Sequence, residues 1–329
     1  MKSFRENAQL ASGSQAVRVL KHIWEEYSII LVTVAIFVIA GIIAPRFLTT
    51  PNVLLVLRHS AIIGVIALGM TFVIISGGID LSAGHAVAAA GTVLLLLQGN
   101  EAIPLSVAIL ASVAVATAIG LINGLIITKF RLPAFIVTLA VGIIARSLTM
   151  YFTGGITVQG RRVPEFLNIG NGSLGVIPFT VIVWVVMAVI LGCVLAYTKF
   201  GAYTYAVGGN EITARYSGIP VDRIKIAAYT LTGFCVGISS LLNFSRVAAV
   251  LPSTSGNLFE FDAITAVVVG GAALSGGKGK MLGTFFGMII IGVVANLLVM
   301  FNISPFLTGF FKGGLILLAV LLQRRGKAD

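Results

Sequence analysis

Charge is scarce in this 329-residue chain: Asp, Glu, Lys and Arg make up 10% of it, and only 11 residues are acidic. Soluble domains carry about 25% charged residues, so a water-soluble globular protein is excluded. Cysteine is scarcer still. The two present, Cys193 and Cys235, both fall in apolar runs, which excludes a disulfide framework and a thiolate metal site. The three histidines, His22, His59 and His85, are scattered, and none adjoins a serine nucleophile or a metal-ligand spacing. No catalytic residue and no metal ligand is therefore assigned. A cleavable leader is not expected either, because the first 27 residues are polar or amphipathic and the first apolar run has no small-residue cleavage site.

A nucleotide-binding loop is also missing. GGKGK at 276–280 has the look of one, but a P-loop needs Gly-x4-Gly-Lys followed by Ser or Thr. Counting back from Gly277-Lys278 puts Ala272 where the first Gly belongs, and Gly279 follows the Lys. The chain is expected not to be an enzyme, and any ATP energy it uses must enter through another subunit.

What is abundant is apolar: 58% of the residues, with a mean hydropathy of +1.06. Runs of about 20 such residues recur, each long enough for a hydrocarbon core of roughly 30 Å. Spans are expected near 28–44, 53–75, 84–98, 103–128, 133–153, 176–197, 226–247, 260–275, 281–301 and 304–322. The fold class is an all-α polytopic membrane protein with about ten transmembrane helices. The alternating ten-residue segments of a β-barrel are not evident.

The net charge of +11 is distributed as topology, not as a nucleic-acid footprint. With the N-terminus inside, ten crossings also return the C-terminus inside. Lys2, Arg5, Arg18 and Lys21 then lie inside, with Lys129, Arg131, Lys199, Arg215, Arg223, Lys225, Lys278, Lys280, Arg324, Arg325 and Lys327. That bias follows the positive-inside rule. Three regions result: a cytoplasmic tail at 1–27, one membrane domain at 28–323, and a cytoplasmic tail at 324–329. Within the first tail, Ala16, Val19, Leu20, Ile23, Trp24 and Tyr27 recur at helical spacing. They suit an interfacial helix, or else a plain basic tail.

Two of the expected spans are short and border glycine-rich interruptions, SGGIDLSAGH at 76–85 and GGAALSGGKGK at 270–280. Backbone broken at membrane depth must line a cavity or be buried in protein. Paired breaks of this kind point to a translocation path, against the plainer reading of two membrane-edge loops. Asp80, flanked by Ser76 and Ser82, reads first as a cap for the helix that follows, and second as a ligand contact or proton relay. Asn123 and Asn243 are further candidates for a polar path. Glu260, Asp262, Arg146, Asn296 and Lys312 are other polar residues in or near spans, able to bridge helices. Outside, the loops at 154–175 and 248–259 suit a surface that receives a soluble partner, and suit idle loops nearly as well.

Between Lys199 and Lys225 the apolar character breaks off. Asn210 is a good N-cap there, Glu211 complements the helix dipole, Gly218 suits a left-handed C-terminal turn and Pro220 stops continuation. A helix over 211–217 is predicted, too short to stand alone in water. It is either a docking element for a separate protein or a capped surface turn.

Taken together, GMTFVIISGGIDLSAG (69–84), KFGAYTYAVGGNEITARYSGIPVDRIKIAAYTLTG (199–233) and FDAITAVVVGGAALSGGKGKMLGTFFG (261–287) resemble the permease subunit of ribose-type ABC sugar importers, over essentially the whole chain. The resemblance implies a multi-pass subunit of a bacterial inner membrane, paired as a homodimer or with a paralogue. It implies a periplasmic sugar-binding protein outside and a cytoplasmic ATPase with two fused nucleotide-binding halves inside. ATP-Mg would sit on that ATPase, with no cofactor on this chain. Gly208, Gly209, Asn210, Glu211, Ala214, Gly218 and Ile219 match the segment that such permeases dock into the ATPase. The implied solute is a ribose-like pentose or hexose. A nucleoside or furanose-like signalling molecule is the alternative, as is a permease of the related branched-chain amino-acid importers, and an ion-coupled transporter using Asp80 is a more distant one.

Overall fold

Residues 28–304, 307, 309–314 and 317 are described by the computed structural model. The expected interfacial helix, most of the span at 304–322 and the 324–329 tail lie outside them. The apolar runs fold as α1 (Ser28–Ile43), α2 (Thr50–Ile75), α3 (Ala83–Gly99), α4 (Leu105–Phe130) and α5 (Ala134–Thr153). After these come β1 (Val158–Gln159), α6 (Pro164–Asn171), β2 (Ser173–Leu174), β3 (Ile177–Pro178) and α7 (Phe179–Tyr197). The chain continues through α8 (Lys199–Gly209), α9 (Glu211–Tyr216), α10 (Val221–Val247), β4 (Ala249–Val250), α11 (Phe259–Val269) and α12 (Met281–Met300). Six of these, α2, α4, α5, α7, α10 and α12, are long and apolar enough to cross a membrane. The chain is an all-α, multi-pass membrane protein.

Proline sets several boundaries. Pro104, Pro133, Pro178 and Pro220 occupy the residue before α4, α5, α7 and α10, and Pro51 lies in the first turn of α2. At a helix start the missing N–H costs nothing and the fixed φ suits entry.

The core is built around α2, which is buried without interruption from Ser60 to Ile75 and packs on α10, α12, α11 and α7. In lipid the hydrophobic effect does not drive helices together, so close backbone approach and interhelical hydrogen bonds must. The α4–α10 pair shows the first device. Gly120 on α4 faces Gly233 on α10, Gly124 lies against Ile226 and Tyr229, and Gly237 lies against Val113; a Cβ on Gly233 would stand 2.4 Å from the Ala116 carbonyl. The second device is hydroxyl groups. Ser239 Oγ donates to the Ile62 carbonyl (2.6 Å), Ser240 Oγ to Val87 (2.9 Å) and Ser112 Oγ to Ala90 (2.9 Å).

The two interrupted regions behave differently from ordinary spans. At about 1.5 Å per residue, the 11 residues of α11 cover roughly half of a 30 Å core. The expected span at 260–275 thus ends six residues early, because Gly270 and Gly271 (φ +92) turn the chain. On the opposite face, β1 pairs antiparallel with β4 through Val158 and Val250, joining the loops at 154–175 and 248–259. A helix not foreseen, α8, fills 199–209.

Candidate functional site

The 199–225 segment is two helices separated by one residue. Thr198 caps α8, its hydroxyl accepting from Gly201 N–H (3.3 Å). Asn210 leaves helical geometry (φ −159) and caps α9, its side-chain oxygen accepting from Thr213 N–H at 2.9 Å. At the far end Gly218 takes φ +79, and Ile219 N–H donates back to the Ala214 carbonyl (3.1 Å), closing the helix. The predicted helix over 211–217 is found at Glu211–Tyr216, with each cap in its expected role.

α9 is held from below by a small separate core of Val207, Ala214, Val221 and Ile224, with Ile219 packed against it. It is held from the side by charge. Arg215 pairs with Asp222 (2.7 Å) and Glu211 (3.4 Å), and Lys225 with Glu211 (2.5 Å). Burial opposes ionisation of Glu211, but Lys225 and then Arg215 outweigh it and hold the carboxyl below its ordinary range. On the outer face Ile212 and Tyr216 are 70% and 90% exposed. Helix α9 is fixed in place while presenting two large apolar side chains that nothing among the described residues covers.

The last two residues of α8 lead elsewhere. Gly208 lies against the end of α2 so closely that a Cβ there would stand 1.6 Å from the Ile75 carbonyl oxygen and 2.6 Å from Gly277 N. Those two atoms are themselves hydrogen-bonded at 2.8 Å. Gly276 (φ +84) packs on Gly208 and Gly77, and Gly277 (φ +73) on Gly209. Tyr205 OH donates to the Gly279 carbonyl (2.7 Å). One glycine junction therefore joins α8 to both interrupted regions. Sequence reasoning placed Gly208 and Gly209 in a docking segment and missed this contact, because Gly77, Gly208 and Gly277 are distant in the chain.

Beyond the junction, the non-helical stretch 79–82 is clasped from three helices. Tyr229 OH on α10 donates to the Ile79 carbonyl (3.1 Å), Leu81 N–H donates to Thr138 Oγ1 on α5 (3.1 Å), and Asn123 Nδ2 on α4 donates to Ser82 Oγ (2.8 Å). Asp80 is buried, and its Oδ1 accepts from both Ser82 N–H (2.8 Å) and Ser82 Oγ (2.6 Å). It closes a turn ahead of α3, whose N-cap position belongs to Ser82 and carries no side-chain cap bond. These bonds satisfy backbone that lipid cannot.

The structure thus brings Asp80, Ser82 and Asn123 together and leaves the other two candidates apart. Ser76 Oγ turns back to the Val73 carbonyl (2.8 Å). Asn243 lies about 21 Å along α10 from Tyr229, and its side chain makes no hydrogen bond among the described residues. Further out, Arg146 donates to the Ser253 and Ser255 carbonyls (3.2 Å each), and buried Asp262 pairs with Lys312 (2.6 Å). Between the 199–225 segment and the first break a cavity of about 380 Å³ is lined by Gly77, Gly78, Arg131, Glu211, Lys225 and Tyr229, among others.

A helix capped at both ends, its outer face uncovered among the described residues, thus sits next to a glycine junction that joins both interrupted regions. Comparison with known proteins gives the family. The sequence model of the family described as branched-chain amino acid transport system, permease component, matches residues 52–320. The chain is 40% identical over 294 residues to a ribose import permease protein of Bacillus subtilis, covering 88% of this chain and 90% of the relative. It is 37% identical to the ribose import permease protein of Escherichia coli K12 (92% and 94% covered). To the L-arabinose transport system permease protein of the same strain it is 34% identical (92% and 91%). No solved structure matches significantly. The chain belongs to this family of transport-system permease components, together with the ribose and L-arabinose permeases it resembles.

Proposed function

We propose that the chain is the membrane subunit of an ATP-driven importer that moves a monosaccharide of the ribose or arabinose class into the cytoplasm. The observation that carries this reading is α9, capped at both ends, with Ile212 and Tyr216 facing outward and its neighbour α8 seated on both broken helices. The partner is a cytoplasmic ATPase with two fused nucleotide-binding halves, which binds ATP-Mg. It docks on the exposed face of α9, within the segment of Gly208, Gly209, Asn210, Glu211, Ala214, Gly218 and Ile219, in which Gly208 and Ala214 pack inward and hold that face in place. A periplasmic sugar-binding protein delivers the solute, and two permease subunits form the path.

Ten crossings with both termini cytoplasmic fit the charge bias, and the expected segments from 28 to 301 each overlap a helix. In this orientation the cavity beneath Gly77 and Gly78 opens to the cytoplasm, and Asp80, Ser82 and Asn123 border the discontinuity above it. ATP-driven closure displaces α9 and, through α8, both broken helices, switching the bundle between inward- and outward-facing states. The free energy comes from the nucleotide at the partner, and the permease converts it into a change of access.

The test is uptake into proteoliposomes. Ribose or arabinose should enter only when the ATPase, ATP-Mg and the binding protein are all present. Uptake driven by an ion gradient with the permease alone would overturn the reading in favour of a secondary transporter. The solute retained by the purified binding protein separates a pentose or hexose from a nucleoside or a furanose-like signalling molecule.

A further inference from the structure

The loop at 248–259 does not stay at the surface of the bundle. Past β4 it turns inward until Gly256 (φ +72) packs on Gly84, the second residue of α3. Its depth is set by α5, whose 20 residues measure about 30 Å. Gly142, eight residues after Ala134, lies against Ser82 and His85. Arg146, one turn further, donates to the Ser253 and Ser255 carbonyls. The starts of α3 and α11 therefore meet about 12–18 Å along α5, near the middle of a roughly 30 Å core. Thr254 and Asn257 on the loop are exposed there. Lipid does not tolerate irregular backbone at that depth, so the loop borders a polar path or protein. Discontinuous helices that meet at mid-depth are where transport proteins hold their solutes.

One side chain at this meeting point is out of balance. Glu260, in the first turn of α11, is only 6% exposed, and its Oε2 has no hydrogen-bond partner among the described residues. That oxygen is aimed at the start of α3, where a Cβ on Gly84 would collide with it and with the Gly256 carbonyl. Arg146 lies within electrostatic range of Glu260 but forms no ion pair with it, its terminal nitrogens being held by the loop carbonyls. Around Ser82, His85 Nδ1 and Asn123 Oδ1 are likewise buried without partners. Complementing the α11 dipole accounts for an acidic residue in this turn. It does not account for burial with an unused oxygen, and Asp262 in the same turn has Lys312 as its partner. A buried carboxylate lacking partners is strongly unfavourable, and an ionisable group kept at membrane depth marks a site of function.

The geometry points to Glu260 as a solute contact, its Oε2 accepting a hydrogen bond from a solute hydroxyl when the Gly84–Gly256 contact opens. Arg146 is a positioning residue that holds the loop carrying that contact. The unused oxygens, Glu260 Oε2 and Asn123 Oδ1, are acceptors, so the occupant must donate hydrogen bonds, and a carboxylate repels an anion. A neutral polyhydroxylated solute meets both conditions. The assignment rests on the importer reading under Proposed function and adds to it the point at which the path senses what passes.

Glu260→Gln keeps the size of the side chain and removes its charge. Uptake is measured in proteoliposomes holding the ATPase, ATP-Mg and the binding protein. The probes are whichever of ribose or arabinose the wild type carries and its monodeoxy analogues, each at a concentration that saturates the binding protein. A hydrogen bond to a charged group is worth roughly 10- to 100-fold, so the wild type should move one analogue slower than the parent sugar by about that factor. Glu260→Gln should move the parent and that analogue at the same low rate. It should also melt no lower than the wild type, because an unpartnered buried charge has been removed. Wild-type uptake of the parent sugar by Glu260→Gln would overturn the proposal. A lower melting temperature with a parallel loss of uptake would overturn it in favour of a packing role, and equal loss for the parent and every analogue in favour of a gate. If the variant does not fold, Glu260→Asp, which keeps the charge but sets it back by one methylene, decides by the same comparison of parent with analogues. Absence of uptake by the wild type in the complete system would overturn the importer reading itself, and this assignment with it.

Discussion

Gly208→Ala separates a helix that merely connects from one that transmits. In an isolated helix, replacing Gly by Ala stabilises by about 1 kcal/mol. Here the added methyl would stand 1.6 Å from the Ile75 carbonyl oxygen, in the line of the hydrogen bond that Gly277 N–H makes to it. Relief to an ordinary contact needs a displacement of more than an ångström, and both obstacles are backbone. Overpacking of this kind costs about 1–3 kcal/mol, and the lost hydrogen bond adds about 1 kcal/mol. Set against the propensity gain, Gly208→Ala should destabilise by roughly 1–3 kcal/mol, with the sign opposite to that of a free helix.

Gly209→Ala is the internal control. It adds the same methyl one residue further on, where nothing lies within 4 Å. That variant should melt at or slightly above the wild-type temperature and transport normally. Gly208→Ala should melt lower in detergent and lose solute uptake while still capturing the ATPase, because the α9 face is untouched. Wild-type melting and uptake in Gly208→Ala would refute the junction as a transmission point.

Asn210→Ala removes the α9 cap and should cost about 1 kcal/mol, read as faster amide exchange over 211–217. Because the Glu211 carboxyl is held below its ordinary value of 4.5, its contribution is complete above that value and lost as pH falls through the lowered one. Exchange over 211–217, corrected for intrinsic rates, should therefore rise in acid for the wild type and rise less for Glu211→Gln, in which only the Arg215–Asp222 pair is left to titrate. Ile212→Asp or Tyr216→Asp should abolish ATPase capture with an unchanged melting temperature. Asp80→Asn keeps an acceptor oxygen for Ser82 and should preserve stability and uptake, whereas Asp80→Ala orphans a buried N–H at a cost of about 1–3 kcal/mol. Loss of uptake in a stable Asp80→Asn variant would instead demand the carboxylate's charge or proton.

Helix α9 was readable because its determinants are local. Asn210, Gly218 and Pro220 act within a few residues of where they stand, and each does what its chemistry predicts. Helix α8 was not readable by the same means. KFGAYTYAVGG holds three glycines and several aromatics, a poor helix former by propensity, and its seat on Ile75 and Gly277 lies far away in sequence. Thr198, its cap, was the available signal. Asp80 sits between the two cases. Its place beside a helix start was legible, but Ser82 is the residue at the N-cap, which leaves the carboxylate to close the turn. The paired Gly-x3-Gly spacings at 120–124 and 233–237 were visible as letters, yet only the α4–α10 contact gives them meaning.

In the proposed mechanism a push on α9 has two ways out, and they differ physically. Towards α10 it travels through Arg215–Asp222 and Lys225–Glu211, pairs whose side chains are 20–52% exposed, so water and salt screen them and the contact is soft. Towards the broken helices it travels through α8 into Gly208, Gly276 and Gly277, where main chain meets main chain and no rotamer is available to absorb the movement. Packed contacts of that kind switch between discrete arrangements instead of deforming gradually. The charged route suits holding α9 in position between strokes. The glycine route suits transmitting the stroke, because the Gly277–Ile75 bond obliges the end of α2 and the 270–280 break to move together or part altogether.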